Sequence, residues 1–76
     1  MLTEENKTEV VKKLAHRIHM LRAERRWSQE ALAGITGLHR NYVGHVERAE
    51  VNVGLVNVEK IAKAFEISIS ELMDGI

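Results

Sequence analysis

Arg40, Asn41, His45 and Arg48 lie close together in the chain, and each can offer hydrogen bonds to a polar partner. Arginine presents a planar fork of donors that fits guanine, and asparagine pairs with adenine through two bonds. On a helix whose Val43 and Val46 face a core, these four residues fall mostly on the other side. Gly44 sits in the same stretch. A mid-helix glycine costs about 0.8–1 kcal/mol against alanine. Close approach of a partner to the backbone is one use for that cost. A polar stripe alone is more often a solvated face, so the weight rests on the elements around it.

Those elements read as short helices. Ser28 is a good N-cap, and Glu30 suits the first turn that follows it. This helix runs from about Gln29 to Thr36, with Ala31, Leu32 and Ile35 as apolar positions. Gly37 stands where a helix commonly ends on a left-handed residue. A third helix covers about Arg40 to Arg48, anchored by Leu38, Val43 and Val46. Two short helices joined by a tight glycine turn form a helix-turn-helix, here about residues 28–48. Ala33 is small enough to let the pair cross closely. A larger side chain there would overpack the crossing by about 1–3 kcal/mol.

The flanks complete the frame. Asn6 with Glu9 is a capping box for a first helix, in which Val11, Leu14, Ile18 and Leu21 form the apolar stripe. Residues 49–54 form a loop, and Leu55, Val58, Ile61, Ala62 and Phe65 mark a fourth helix. Ser68 with Glu71 opens a short fifth helix containing Leu72 and Met73. The fold class is therefore all-α, five helices in one domain over residues 1–76. Trp27, at the junction after the first helix, is expected to pack as a staple residue. Tyr42 divides evenly between core packing and a phosphate contact through its hydroxyl.

Composition excludes several classes. With 76 residues, 45% hydrophobic and 29% charged, the chain is globular but small, and docking to a copy of itself would help it. There is no cysteine, hence no disulfide and no thiolate metal site. No apolar run nears the roughly 18 residues of a membrane span. The polar, acidic N-terminus is unlike a signal peptide, so a cytoplasmic location is expected. No nucleophile with an arranged base, no glycine-rich phosphate loop and no carboxylate pair points to an enzyme. His16, His19, His39 and His45 lack acidic partners at ligand spacing, so neither a metal nor a cofactor is implied. The net charge of zero conceals segregation: residues 12–26 carry +5, whereas residues 49–76 carry −3. A local basic field of this kind attracts phosphate.

From Leu21 to Leu72 the chain reads LRAERRWSQEALAGITGLHRNYVGHVERAEVNVGLVNVEKIAKAFEISISEL. The order SQE, LA, G-L, Y-V and V-E-R resembles the phage-repressor-like (XRE-type) helix-turn-helix family. Within it, the small controller proteins of restriction–modification systems are most similar. The resemblance implies a homodimer that binds an inverted repeat in double-stranded DNA through the third helix. It implies base contacts from Arg40, Asn41 and His45, and backbone contacts from Gln29 and Asn52. His39, Tyr42 and Arg48 are further candidates for the backbone. Arg22 and Glu47 match a partly buried structural ion pair. Ile67, Ile69, Leu72 and Met73 are the expected dimer surface, and RNA polymerase is a further partner if the protein activates.

Three positions depart from the family pattern. Ala49 replaces the usual glycine after the third helix, the loop EVNVG lacks the usual basic residue, and His39 replaces a Ser or Thr cap. A phage-type or general repressor is the alternative within the family. An antitoxin or protein-interaction module is the alternative outside DNA binding.

Overall fold

The computed structural model describes all 76 residues as five helices without strands. They are α1 (Glu9–Glu24), α2 (Gln29–Thr36), α3 (Arg40–Glu47), α4 (Leu55–Ala64) and α5 (Ile69–Leu72). No helix is long and apolar enough to cross a membrane. The core draws on every helix: Leu14 and Ile18 from α1, Leu32 from α2, Val43 and Val46 from α3, Val58 and Ile61 from α4, Leu72 from α5. Phe65, just past α4, completes it. Trp27 stacks on Phe65 with ring centroids 5.6 Å apart. The Arg25 guanidinium lies 4.9 Å over the Phe65 ring, which closes this edge of the core.

The first helix starts later than the Asn6 box suggested. Thr8 is the cap, its side chain accepting from the Val11 backbone amide. Asn6 belongs instead to a turn in which the Asn6 and Lys7 amides both bond to the Thr3 carbonyl. That turn satisfies its own amides, so the helix opens only after it. Ahead of the turn, the Leu2 amide donates to the Glu50 carbonyl at 2.7 Å, tying the N-terminal arm to the loop after α3.

The helix-turn-helix has the expected anatomy. Ser28 accepts from the Ala31 amide at 3.0 Å and opens α2. Gly37 ends it at φ 77°, its amide bonded to the Ala33 carbonyl. Ala33 is buried where α2 packs on its neighbours.

Three other helix ends use the left-handed conformation without glycine. Arg26 (φ 56°), Ala49 (φ 58°) and Glu66 (φ 58°) each follow a helix cap. After α3 the Ala49 amide bonds to the Val46 carbonyl and the Glu50 amide to the His45 carbonyl. This is the paired-bond Schellman ending. Ala49 therefore keeps the turn that a glycine would make, at the cost of a left-handed alanine.

The C-terminal surface corrects one expectation. Leu72 is 0% exposed, a core residue of its own protomer, and so is unavailable to a partner. Ile67 and Met73 are half-buried against the core, leaving Ile69 at 38% exposure as the open apolar residue of the predicted four. The fifth helix is one short turn, and its single inward position had to fall on Leu72.

Candidate nucleic-acid interface

Arg40 is the first residue of α3, and Asn41 follows it; both are exposed. The helix is capped by His39, whose Nδ1 accepts from the Asn41 amide at 3.0 Å. His39 thus does the work of the missing Ser or Thr, and the ring is held at the helix end. As a backbone contact it has only its other ring nitrogen to offer. Arg40 Nη1 lies 2.9 Å from Glu30 Oε1 on α2, and both side chains are mostly exposed. Such an exposed pair is worth little, so Arg40 can leave it for another acceptor.

Gln29, Arg40, Asn41, Gly44, His45 and Arg48 line one shallow depression of about 260 Å³. Gly44, however, is buried. A Cβ at that position would stand 3.0 Å from Arg48 Nη1 and 3.4 Å from Gln29 Oε1. The glycine serves contacts inside the protein: it lets the Gln29 and Arg48 side chains lie across α3. The expected approach by an outside partner is first an approach by these two.

The C-terminal half of α3 is less free. His45 Nδ1 is 2.9 Å from Glu50 Oε1, and Arg48 Nε donates to the same oxygen at 3.0 Å. The hydrogen bond to His45, aided by Arg48, holds the Glu50 carboxyl below the usual carboxylate range. Sequence reasoning missed Glu50. Its signal was Ala49: a left-handed residue there folds the next one back toward His45.

Below the depression sits the ion pair. Arg22 donates to Glu47 twice, Nε to Oε2 at 2.7 Å and Nη2 to Oε1 at 2.8 Å. Its remaining Nη1 donates to the Trp27 carbonyl at 2.7 Å. His19 Nδ1 is 3.0 Å from Glu47 Oε1, and Gln29 Nε2 donates there at 3.4 Å. The Glu47 side chain is 4% exposed. Burial opposes its charge, but the bonds from Arg22, His19 and Gln29 outweigh that and keep its carboxyl low. Glu47 in turn raises Arg22 above its ordinary value. One carboxylate thereby fixes α1, α2 and α3 to one another.

The remaining predicted contacts separate. Tyr42 is half-buried, and its hydroxyl accepts from Asn57 on α4 at 3.1 Å, so it leans on the core with its proton still to give. Asn52 lies exposed in the loop between α3 and α4. No three His, Cys, Asp or Glu side chains come together as a metal site.

An exposed pair of base-reading residue types at the start of the second helix of a tight two-helix unit fits one family. Residues 18–72 match the Helix-turn-helix family. The chain belongs to this family. It is 45% identical over 60 residues to Control protein C.SmaI of Serratia marcescens, covering 79% of this chain and 71% of that protein. Across the curated relatives the match spans 57 to 71% of their own length. The restriction-modification controller protein C.AhdI from Aeromonas hydrophila shares the fold with a TM-score of 0.78 and 47% identity. That match covers 82% of this chain and 94% of the other. C.Esp1396I, solved as a tetramer with its natural 35 base-pair operator, aligns at TM-score 0.79 and 29% identity, over 87% of this chain and 91% of that one. The helix-turn-helix chain thus has the phage-repressor-like architecture that its SQE to VER stretch suggested.

Proposed function

We propose that the protein is a sequence-specific regulator of transcription that binds double-stranded DNA as a homodimer, in the manner of a restriction–modification controller. The observation that carries this is the exposed Arg40–Asn41 pair at the start of α3, set on the rigid α2–α3 unit. In this reading α3 enters a major groove, and the two copies stand about 34–36 Å apart on an inverted repeat. Arg40 and Asn41 read bases, and His45 reads after release from Glu50. Gln29 and Arg48 hold phosphates across Gly44, while Asn52 and the Tyr42 hydroxyl meet the backbone at the rim. Arg22 and Glu47 position the helices and touch no DNA. Ile69, with the edges of Ile67 and Met73, forms the two-fold contact. The protein acts by binding rather than catalysis, in the cytoplasm, and as an activator it would present RNA polymerase with a bound partner.

In-vitro selection from a random duplex library tests this, followed by a mobility shift with the selected duplex. The expected result is a two-fold symmetric motif whose half-sites lie one helical turn apart. No shift at low salt would overturn the reading.

A further inference from the structure

We infer that the outer face of α1, carrying Lys12, His16 and His19, is a second DNA contact that grips phosphates flanking the half-site read by α3. This rests on the reading of the chain as a DNA-binding regulator. The three residues are spaced four and three apart, so they share one helical face. That face borders a hollow of about 550 Å³ whose lining also includes Arg22, Gln29 and Arg48. Gln29 and Arg48 line the depression over α3 as well. The polar surface therefore runs unbroken from Arg40 across the helix-turn-helix and along α1.

Charge separates this face from an ordinary solvated one. Most of the other arginines near it have internal work. Arg22 is held by Glu47, Arg25 donates to the Leu21 and Phe65 carbonyls, and Arg17 donates to the Glu71 carbonyl. Lys12 and His16 are exposed and enter no ion pair. His19 is half-exposed and uses only Nδ1, against a Glu47 already bonded to Arg22. Of the carboxylates beside this face, Glu4 is bonded to Lys7 at 2.8 Å and also feels the charge of Lys12, and Asp74 borders a second hollow with Lys12 and His16 without pairing to either. What is left facing outward is the Lys12 ammonium and the His16 imidazole, each able to donate, with the second ring nitrogen of His19 beside them. Lys12 to His19 spans about 10 Å of helix axis, or about three base-pair steps of one strand. Two or three phosphates fit that length.

The experiment compares the full chain with the double variant Lys12→Gln, His16→Gln on two duplexes. One is the selected operator trimmed to its half-sites, and the other adds about eight base pairs of unrelated sequence at each end. Lys60→Gln, Lys63→Gln on the exposed side of α4 is the control, and circular dichroism checks that all three proteins are equally helical. The unaltered chain and the control should bind the longer duplex about five to tenfold more tightly at low salt. The double variant should lose this gain, and its salt slope should fall by about 1, the charge of Lys12, on the longer duplex only. An equal gain for all three proteins would show a merely solvated face and overturn the inference. A loss of equal size on both duplexes would put the stripe inside the half-site and also overturn it. Failure of every protein to bind either duplex would instead overturn the DNA-binding reading itself.

Discussion

Glu47 and Glu50 stand three residues apart, and each holds one arginine and one imidazole. Glu47 takes Arg22 and His19, whereas Glu50 takes Arg48 and His45. The chemistry is the same and the settings are opposite. Glu47 is 4% exposed and joins three helices. The Glu50 side chain is 26% exposed, and its carboxylate bonds only to side chains from the end of α3 and its cap. The inner trio fixes the frame of the helix-turn-helix. The outer trio occupies two of the groups that the frame presents. Depth, rather than the partners, decides which trio is structural.

Breaking the inner trio should have the largest effect. Glu47→Ala leaves Arg22 partly buried with its main partner gone, and its remaining anchor is the Trp27 carbonyl. Removing one member of a buried pair costs about 3–5 kcal/mol, and the residual exposure of Arg22 puts this case near 3. Urea denaturation should show that loss. A loss below about 1 kcal/mol would place Glu47 among surface pairs and erase the contrast.

Acid should act on the same site next. The Glu47 carboxyl is held below its ordinary value of 4.5 in the folded protein. A lowered carboxylate adds stability that is complete above its unfolded pKa and is lost as pH falls through its folded pKa. Thermal unfolding should therefore show stability falling as pH drops below about 4.5. Glu47→Gln, already less stable at neutral pH, should fall less steeply over that window. Glu50→Gln should follow the unaltered chain more nearly, because solvent screens its trio. Identical acid profiles for all three proteins would remove Glu47 as the source.

The outer trio should respond in binding rather than in folding. Glu50→Gln removes a negative charge from the surface proposed to meet phosphate and would free Arg48 for it. Affinity for the selected duplex should rise about fivefold at low salt, with a salt slope steeper by about 1. The unfolding midpoint should stay where it is. Weaker binding would mean that Glu50 holds His45 and Arg48 in the pose DNA needs.

The sequence disclosed the frame better than the surface. Periodicity at Leu14, Ile18, Val43, Val46 and Ile61 found the core, because each is repeated within its helix. Ser28 and Gly37 marked the ends of α2, because capping is local chemistry. The Arg22–Glu47 pair came from family resemblance, and the two side chains lie within hydrogen-bond distance, at 2.7 and 2.8 Å. What stayed hidden depended on contacts across the chain or on backbone conformation. The Glu50 contact turns on a left-handed residue other than glycine, Ala49. Gly44 looked open because the residue that covers it from α2, Gln29, is distant in sequence. Leu72 looked like surface because a helix of one turn has no periodicity to read.

Ala49 is the hinge between the two trios, and substituting it should give the smallest effect and the finest test. Its φ of 58° is strained for a residue with a Cβ, by about 1–2 kcal/mol. The residue is 7% exposed, so burial returns part of that cost. Glycine relieves the strain, loses the burial and gains freedom in the unfolded chain. The net for Ala49→Gly should be a stabilisation of about 0.5 kcal/mol, seen as a small rise in the urea midpoint. The turn would keep its two amide bonds, so Glu50 would still reach His45 and DNA affinity should hold. A gain in stability with altered affinity would mean that the alanine tunes where Glu50 sits. The two trios would then be coupled through the turn, and depth alone would not separate them.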